Sequence, residues 1–118
     1  MALAFLGDGV YEVLVRQKIV LDKQLSVRRL HSASVEKVRA SYQANAVDLI
    51  LPLLSDEEKD IIRRGRNTNS QVPKSASVSE YRLATGLEAL FGYLSLIGDN
   101  LRIEELFEVI YAGEKVSD

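Results

Sequence analysis

The chain has 118 residues, of which 47% are hydrophobic and 27% charged, so we expect one ordinary domain spanning residues 1–118. The absence of cysteine and the single histidine exclude disulfides, thiolate metal sites and histidine-rich zinc sites, so any metal should be held mainly by oxygen ligands, as Mg²⁺, Mn²⁺ and Ca²⁺ are. The net charge of −2 argues mildly against nucleic acid, and no apolar run approaches the roughly 20 residues of a membrane span. A cytoplasmic protein without a signal peptide is therefore expected.

Apolar residues recur at helical spacing through the whole chain, which predicts helices and no strand. The first helix is expected over roughly residues 2–20, and a brief helix around residues 27–31. Ser34 is typical of the N-cap of a long helix, which Pro52 should end or bend.

Two capping-box patterns predict the helix starts of the second half. Ser55 precedes a helix expected to end at about Arg64, where Gly65 could cap it. A polar loop over residues 66–76 follows, and then Ser77 opens an apolar helix. A turn at residues 98–100 and a last helix ended by Gly113 complete an all-α domain of five to seven helices.

Asp8 and Glu88 are lone acids among apolar residues and glycines in two of these helices. Each glycine in a helix interior costs about 1 kcal/mol, which the close approach of another helix could offset. Two such helices could cross at their glycines and bring the carboxylates together, an arrangement that Mg²⁺ would stabilise. The alternative is that Asp8 pairs with an arginine and the glycines serve packing alone.

The motifs around these acids resemble the ribonuclease III family. Residues 3–8 (LAFLGD) resemble the signature helix Leu-Glu-Phe-Leu-Gly-Asp, and residues 87–92 (LEALFG) resemble the second acidic helix. The mini-ribonuclease III branch, which lacks a double-stranded RNA-binding domain, is closer still. Its shared motifs lie in order at residues 7–12, 30–31, 63–67 and 81–94.

The resemblance implies a homodimeric, all-α endonuclease that cuts double-stranded RNA with Mg²⁺, for which Mn²⁺ could substitute. Asp8 and Glu88 match the family's catalytic and metal-binding acids. Full-length ribonuclease III has further acids where Met1, Ala4 and Thr85 stand, and the mini branch also lacks them. Relatives usually carry several residues before the signature helix, so whether the natural start lies upstream of Met1 stays open at this point. The implied substrate is the large-subunit (23S) ribosomal RNA precursor, with the aid of a ribosomal protein.

Several other polar residues are candidates for these sites. Glu12, one turn after Asp8, is either a third metal ligand or the partner of Arg16. The basic segment either contacts RNA phosphates or is simply a solvated face, and both interpretations stay open. Its candidate RNA-binding residues are Arg63, Arg64, Arg66, Asn67 and Lys74.

Three functions follow as hypotheses. The main one is an Mg²⁺-dependent endoribonuclease that leaves 5′-phosphate and 3′-hydroxyl ends. The alternatives are a non-catalytic RNA-binding or ribosome-associated module on the same fold, which would be expected to lose Asp8 and Glu88, and a helical protein-interaction domain. An isologous homodimer is also expected, because the signature helix is apolar on more than one face.

Overall fold

Helices account for nearly every residue that the structure, a computed structural model, describes, namely residues 1–22, 27–37, 39–68 and 77–116. No strand occurs in these ranges, so the expected all-α class is confirmed. The helices are α1 (Ala2–Asp22), α2 (Val27–Lys37), α3 (Ala40–Ile50), α4 (Asp56–Arg66), α5 (Val78–Leu96) and α6 (Asn100–Val116). A short 3₁₀ turn at Leu51–Leu53 follows α3. None of the helices in the described ranges is long and apolar enough to cross a membrane.

Helix α5 lies at the centre of the fold, where α1, α3, α4 and α6 all pack against it. A helix that is apolar on nearly every side must be covered on nearly every side. The buried residues of α5 meet this condition, and they are Ala84, Gly86, Leu87, Ala89, Leu90, Phe91, Gly92 and Leu94. The central position of α5 explains why Glu88, in the middle of this helix, is partly buried.

Glycines let two helices approach the α5 backbone directly. A Cβ atom added to Gly7 would overlap the Glu88 carbonyl oxygen, and one added to Gly92 would overlap the carbonyl oxygen of Leu3. On the α4 side, a Cβ on Gly65 would lie 2.8 Å from the Gly86 Cα. These contacts explain why helix interiors retain residues that cost about 1 kcal/mol each in helix propensity.

Aromatic packing fixes α1 and α6 against the same central helix. The Tyr11 ring lies edge-on to Phe91 at 5.6 Å and to Phe107 at 5.8 Å, measured between ring centroids. Edge-to-face pairs at this separation contribute about 0.5–1.5 kcal/mol beyond the burial of apolar area. The face of α1 that carries Tyr11 is therefore anchored in the core.

A charged contact joins α6 to the start of α4. The Arg102 side chain donates through Nε to Glu58 Oε2 at 2.8 Å and through Nη2 to Glu58 Oε1 at 2.7 Å. Hydrogen bonding from Arg102 lowers the pKa of Glu58, which is almost fully buried. The same Glu58 carboxylate accepts from the Ser55 backbone while Ser55 Oγ accepts from Glu58 N, so the expected capping box is confirmed.

The other helix boundaries match the expectations in part. Ser77 caps α5 by accepting from Glu80 N at 3.0 Å, and Gly98 takes the turn with a φ of +74°. Ser34 is not an N-cap, because α2 continues through it to Lys37 and Arg39 is the extended residue before α3. The expected brief helix is thus longer, and the expected long helix begins later.

Two glycines interpreted as helix ends lie inside helices instead. Gly65 is buried in α4, which continues to Arg66, and α6 continues past Gly113 to Val116. Both glycines mark close approaches: Gly65 meets α5, and a Cβ on Gly113 would lie 2.6 Å from a Leu49 methyl carbon. Much of the expected polar loop, residues 69–76, is outside the described residues.

We expect Gly92→Ala to lower the free energy of unfolding by about 1–3 kcal/mol or more, because the methyl group would meet the Leu3 backbone rather than a side chain that could move. Urea unfolding followed by circular dichroism measures this. Gly9→Ala is the matched control, since a Cβ there meets nothing within 4 Å, and it should be neutral or slightly stabilising. Equal stability of the two variants would contradict the close crossing of α1 and α5.

Candidate active site

The crossing of α1 and α5 brings Asp8 and Glu88 together. Gly7 lies directly against the Glu88 backbone, so the residue after Gly7 is carried to the Glu88 side chain. The Asp8 side chain lies near enough to Glu88 to raise the pKa of the Glu88 carboxyl group, with Asp8 exposed and Glu88 partly buried. The expected meeting of two acids from different helices is therefore present in the fold.

The environment of Glu88 opposes its ionisation. Burial is the largest cause, followed by the hydrogen bond to Asp8 and the Asp8 charge, and together they raise the pKa of Glu88 to about 8. The Gln43 side chain acts in the opposite direction. Among the described residues neither acid forms an ion pair with lysine, arginine or histidine, so the alternative in which Asp8 pairs with an arginine finds no support.

A carboxylate pair for which the described residues supply no cationic partner fits a divalent metal ion. Mg²⁺ is typically bound by one or two carboxylates together with waters and substrate phosphate oxygens. The described residues contain no group of three or more potential ligands among His, Cys, Asp and Glu, so an ion between Asp8 and Glu88 would have at most these two protein carboxylates as ligands. Where full-length ribonuclease III has further acids, Ala4 is buried and the Thr85 hydroxyl donates to the Tyr81 carbonyl oxygen at 3.0 Å.

Glu12 is not part of this pair in the structure. Its carboxylate accepts from Arg16 Nη2 at 2.7 Å, the i to i+4 contact that was the alternative to a metal role. Such an exposed pair contributes about 0.3–0.5 kcal/mol. The geometry therefore gives Glu12 an explanation that requires no metal.

The basic residues gather at the C-terminal end of α4. Arg63 and Arg64 are exposed, and both pair with Asp60, at 2.6 Å and 2.9 Å respectively. Arg66 and Asn67 are exposed at the helix end, whereas Lys74 is outside the described residues. Because α4 meets α5 at Gly86, two residues before Glu88, the end of α4 is held beside the helix that carries the acid.

Gln43 is a residue of the site that the sequence patterns did not single out. It lies on α3, is 1% exposed, and lowers the pKa of Glu88, while its Nε2 is buried without a hydrogen-bond partner among the described residues. A signal was present, since an amide at a position flanked by the core residues Ala44, Ala46 and Val47 is unusual in a helix that packs on α5. The resemblance to known motifs drew attention to the acids alone.

The comparisons with known proteins identify a family. The family model described as "Ribonuclease III domain" matches residues 1–99. The chain is 49% identical over 110 residues to Mini-ribonuclease 3 of Thermoanaerobacter sp. (strain X514), which covers 92% of this chain and 78% of the relative. It is 45% identical over 113 residues to Mini-ribonuclease 3 of Synechococcus sp., which covers 96% of this chain and 80% of the relative.

The fold has a counterpart among solved structures. A crystal structure of a Fusobacterium nucleatum protein superposes with a TM-score of 0.84 at 33% sequence identity, covering 92% of this chain and 88% of the other. The family match spans α1 to α5 and therefore includes both helices of the carboxylate pair. The chain belongs to the ribonuclease III family, in its mini-ribonuclease III branch, and is an endoribonuclease.

Proposed function

We propose that this chain cleaves double-stranded RNA with Mg²⁺, with Asp8 and Glu88 as its metal ligands and catalytic acids, and that Mn²⁺ can substitute. The observation that carries the proposal is the approach of these two carboxyl groups on helices that cross backbone to backbone. Among the described residues no lysine, arginine or histidine forms an ion pair with either acid. A structural role would not require the burial of a second acid beside Asp8. The proposed catalytic unit is the whole chain, residues 1–118.

The two acids have different surroundings, which suit different tasks. Asp8 is exposed and can reach both an ion and the phosphodiester, whereas Glu88 is anchored within the helix packing and holds a fixed position. A divalent ion bound here would supply Lewis acidity and would lower the pKa of a water molecule for attack on phosphorus. Breakage of the bond to the 3′ oxygen leaves 5′-phosphate and 3′-hydroxyl ends.

The C-terminal end of α4 is the proposed RNA-binding surface. Arg63, Arg64, Arg66 and Asn67 are exposed there, and Lys74 belongs to the same proposal from its place in the sequence. Arginine suits this role because its planar guanidinium binds phosphate through two hydrogen bonds, and duplex RNA is recognised mostly through its phosphates, shape and 2′-hydroxyl groups. Asp60 pairs with both Arg63 and Arg64 at the surface. In the proposed complex, RNA phosphates would replace Asp60 as the partners of these arginines.

The proposed substrate is a stem of the large-subunit (23S) ribosomal RNA precursor, presented with the aid of a ribosomal protein. Its support is the resemblance of the motifs to the mini-ribonuclease III branch. A non-catalytic RNA-binding module on the same fold would have no use for the Asp8–Glu88 pair, so the site favours the enzyme.

A homodimer is the proposed working form. The outward face of α1 is apolar, with Phe5 85% exposed and Val13 53% exposed, and Leu101 of α6 is 81% exposed. Val13 also lines a cavity of about 540 Å³, together with Leu6, Val10, Leu14 and Ile103. Monomers rarely expose contiguous apolar patches of this kind, and a two-fold partner would supply a second acid pair for the second RNA strand.

We expect Asp8→Asn and Glu88→Gln each to reduce cleavage of a long duplex RNA by at least about 100-fold, because each removes one charged oxygen ligand while keeping the side-chain shape. A gel assay with Mg²⁺, and then with EDTA, measures the loss. Glu12→Gln is the matched comparison on α1, and it should retain activity because Glu12 pairs with Arg16.

The folding of these variants is checked by thermal unfolding in EDTA. Since the pKa of Glu88 is raised, the folded chain holds this proton more tightly than the unfolded chain does. The contribution of the protonated Glu88 to the free energy of unfolding is therefore lost as the pH rises through about 8. Glu88→Gln has no proton to lose and avoids this change. The variant should melt at the wild-type temperature or above it at pH 9, and full cleavage by either acid variant would contradict the assignment.

The double variant Arg64→Ala with Arg66→Ala should bind duplex RNA more weakly and with a smaller salt dependence. Fewer phosphate contacts release fewer counterions, so the slope of log K against log salt should fall by about 1 to 2. Filter binding of duplex RNA across salt concentrations gives this slope, with Asp8→Asn added to every protein so that the RNA is not cleaved. Arg28→Ala, at an exposed position of α2, is the control. If the double variant has the same slope as this control, the α4 arginines are solvated surface residues that do not contact phosphate.

Phe5→Glu should convert a dimer into a monomer, because a two-fold axis would bury two like charges in an apolar interface. Sedimentation equilibrium at micromolar concentration should give twice the 13.2 kDa chain mass for the wild type and the single mass for the variant. Val27→Glu, at a position on α2 that is 83% exposed, should leave the dimer intact. A wild-type monomer that cuts both strands would refute the proposal.

A further inference from the structure

A small cavity opens between the C-terminal half of α1 and helix α2. Its volume is about 250 Å³. The residues that line it are Arg16, Ile19, Val20, Val27, Leu30, His31 and Ser34. Pockets that enclose a whole small-molecule ligand usually hold about 300–1,000 Å³. A cavity of this smaller size suits one group of a larger ligand that lies across the surface.

Three of the lining side chains are polar, and each of them can donate a hydrogen bond. Arg16 has a guanidinium, His31 an imidazole and Ser34 a hydroxyl group, whereas no acid among the described residues lines the cavity. A ligand that meets several donors must be rich in acceptor oxygens, and the arginine favours a ligand with negative charge. A phosphate group satisfies both conditions.

The Ser34 hydroxyl is a polar group that the fold itself leaves without a partner. Ser34 is 7% exposed, yet its hydroxyl forms no hydrogen bond within the described residues. A helical serine can donate to the carbonyl group four residues earlier, as Ser32 does to the Arg28 carbonyl oxygen at 3.3 Å. Burying a hydroxyl group without a partner is unfavourable. A ligand in the cavity would give Ser34 the acceptor that it lacks.

The other two donors are accessible to a ligand. His31 is exposed and forms no hydrogen bond or ion pair with the described residues. The Arg16 side chain is 61% exposed and pairs with Glu12 at 2.7 Å. Because such exposed pairs within one helix contribute little, a phosphate can replace the Glu12 carboxylate and accept two guanidinium hydrogen bonds.

We propose that this cavity binds a backbone phosphate of the substrate RNA, with Arg16, His31 and Ser34 as the donors. The inference rests on the proposed binding of duplex RNA and adds a contact separate from the α4 arginines. Arg16 follows Asp8 by two i to i+4 steps on α1, which is about 12 Å along the helix axis. An RNA strand covers that distance in a few nucleotides, so one strand could contact both Asp8 and the cavity.

The first test uses His31 as a probe. It is the only histidine of the chain, so its ring signals in an NMR spectrum report on this cavity alone. The intact chain, with Asp8→Asn to prevent cleavage, is titrated with a short duplex RNA. We expect the RNA to shift the His31 ring signals and Arg16→Gln to reduce that shift. No shift at saturating RNA, or a shift that Arg16→Gln leaves unchanged, would overturn the proposal.

A parallel titration with inorganic phosphate distinguishes the two sources of a phosphate group. If inorganic phosphate shifts the His31 signals while saturating duplex RNA does not, the cavity binds a free anion. The contact with RNA is then overturned.

The second test measures RNA affinity by filter binding in the same Asp8→Asn background. Arg16→Gln should raise the dissociation constant for duplex RNA by about tenfold and lower the slope of log K against log salt by about 1. Arg16→Lys keeps the charge and should restore the slope. With Asp8 present, Arg16→Gln should raise KM while kcat stays within about twofold, because the cavity is separate from the acid pair.

Arg28→Ala is the matched control, since it removes an exposed arginine of α2 that does not line the cavity. It should change neither the affinity nor the slope, and an effect equal to that of Arg16→Gln would overturn the inference. Ser34→Ala separates binding from folding. Removing an unpartnered hydroxyl should leave the melting temperature unchanged or higher, while RNA binding weakens by about threefold or more. If Arg16→Gln does not fold, as circular dichroism would show, Ser34→Ala decides.

The outcomes also separate this inference from the proposed function. If duplex RNA binds through Arg64 and Arg66 while the Arg16 and Ser34 variants bind it like the wild type, the inference is overturned and the α4 surface stands. If the Asp8→Asn chain does not bind duplex RNA at all, the proposed RNA binding is wrong and the inference fails with it.

Discussion

The backbone contact between α1 and α5 is the constraint on which the candidate site depends. Gly7 lies against the Glu88 backbone and Gly92 against Leu3, so the two helix axes are closer than side chains would allow. Asp8 is adjacent to one of these contacts, and its short side chain can therefore reach Glu88. With alanine at either glycine the helices would have to separate, and the acids would separate with them.

Close packing also makes the site electrostatically expensive. Glu88 is partly buried beside another acid, and this raises its pKa to about 8. In the part of the chain that the structure describes, no basic side chain forms an ion pair with Glu88 to offset this cost. The ion pairs that do stabilise the structure are elsewhere, as in the contact of Arg102 with Glu58. The two acids therefore destabilise the fold at the crossing of α1 and α5, and the proposed metal ion would offset this by neutralising their charge.

The sequence predicted the helices and the acid pair better than it predicted the helix ends. Periodicity located every described helix, and the capping box at Ser55 gave a correct start. Gly65 and Gly113 were misread because a glycine that ends a helix and one that admits a neighbouring helix have the same local sequence, and only the tertiary contact distinguishes them. Gln43 was missed for the same reason, since Glu88, whose pKa it lowers, is 45 residues further along the chain.

A single helix joins the three features that the proposed activity requires. One face of α1 carries the buried Tyr11 and Val15, an adjacent edge carries Asp8, and the outer face carries the exposed Phe5 and Val13. In the proposed dimer, a two-fold axis at the outer face would relate two copies of this helix, and hence two copies of the acid pair. Because Asp8 and the interface residues belong to one rigid element, the spacing between the two sites would be set by the interface itself. A duplex of regular geometry presents its two strands at a regular spacing, so a fixed separation of the sites is what cleavage of both strands requires.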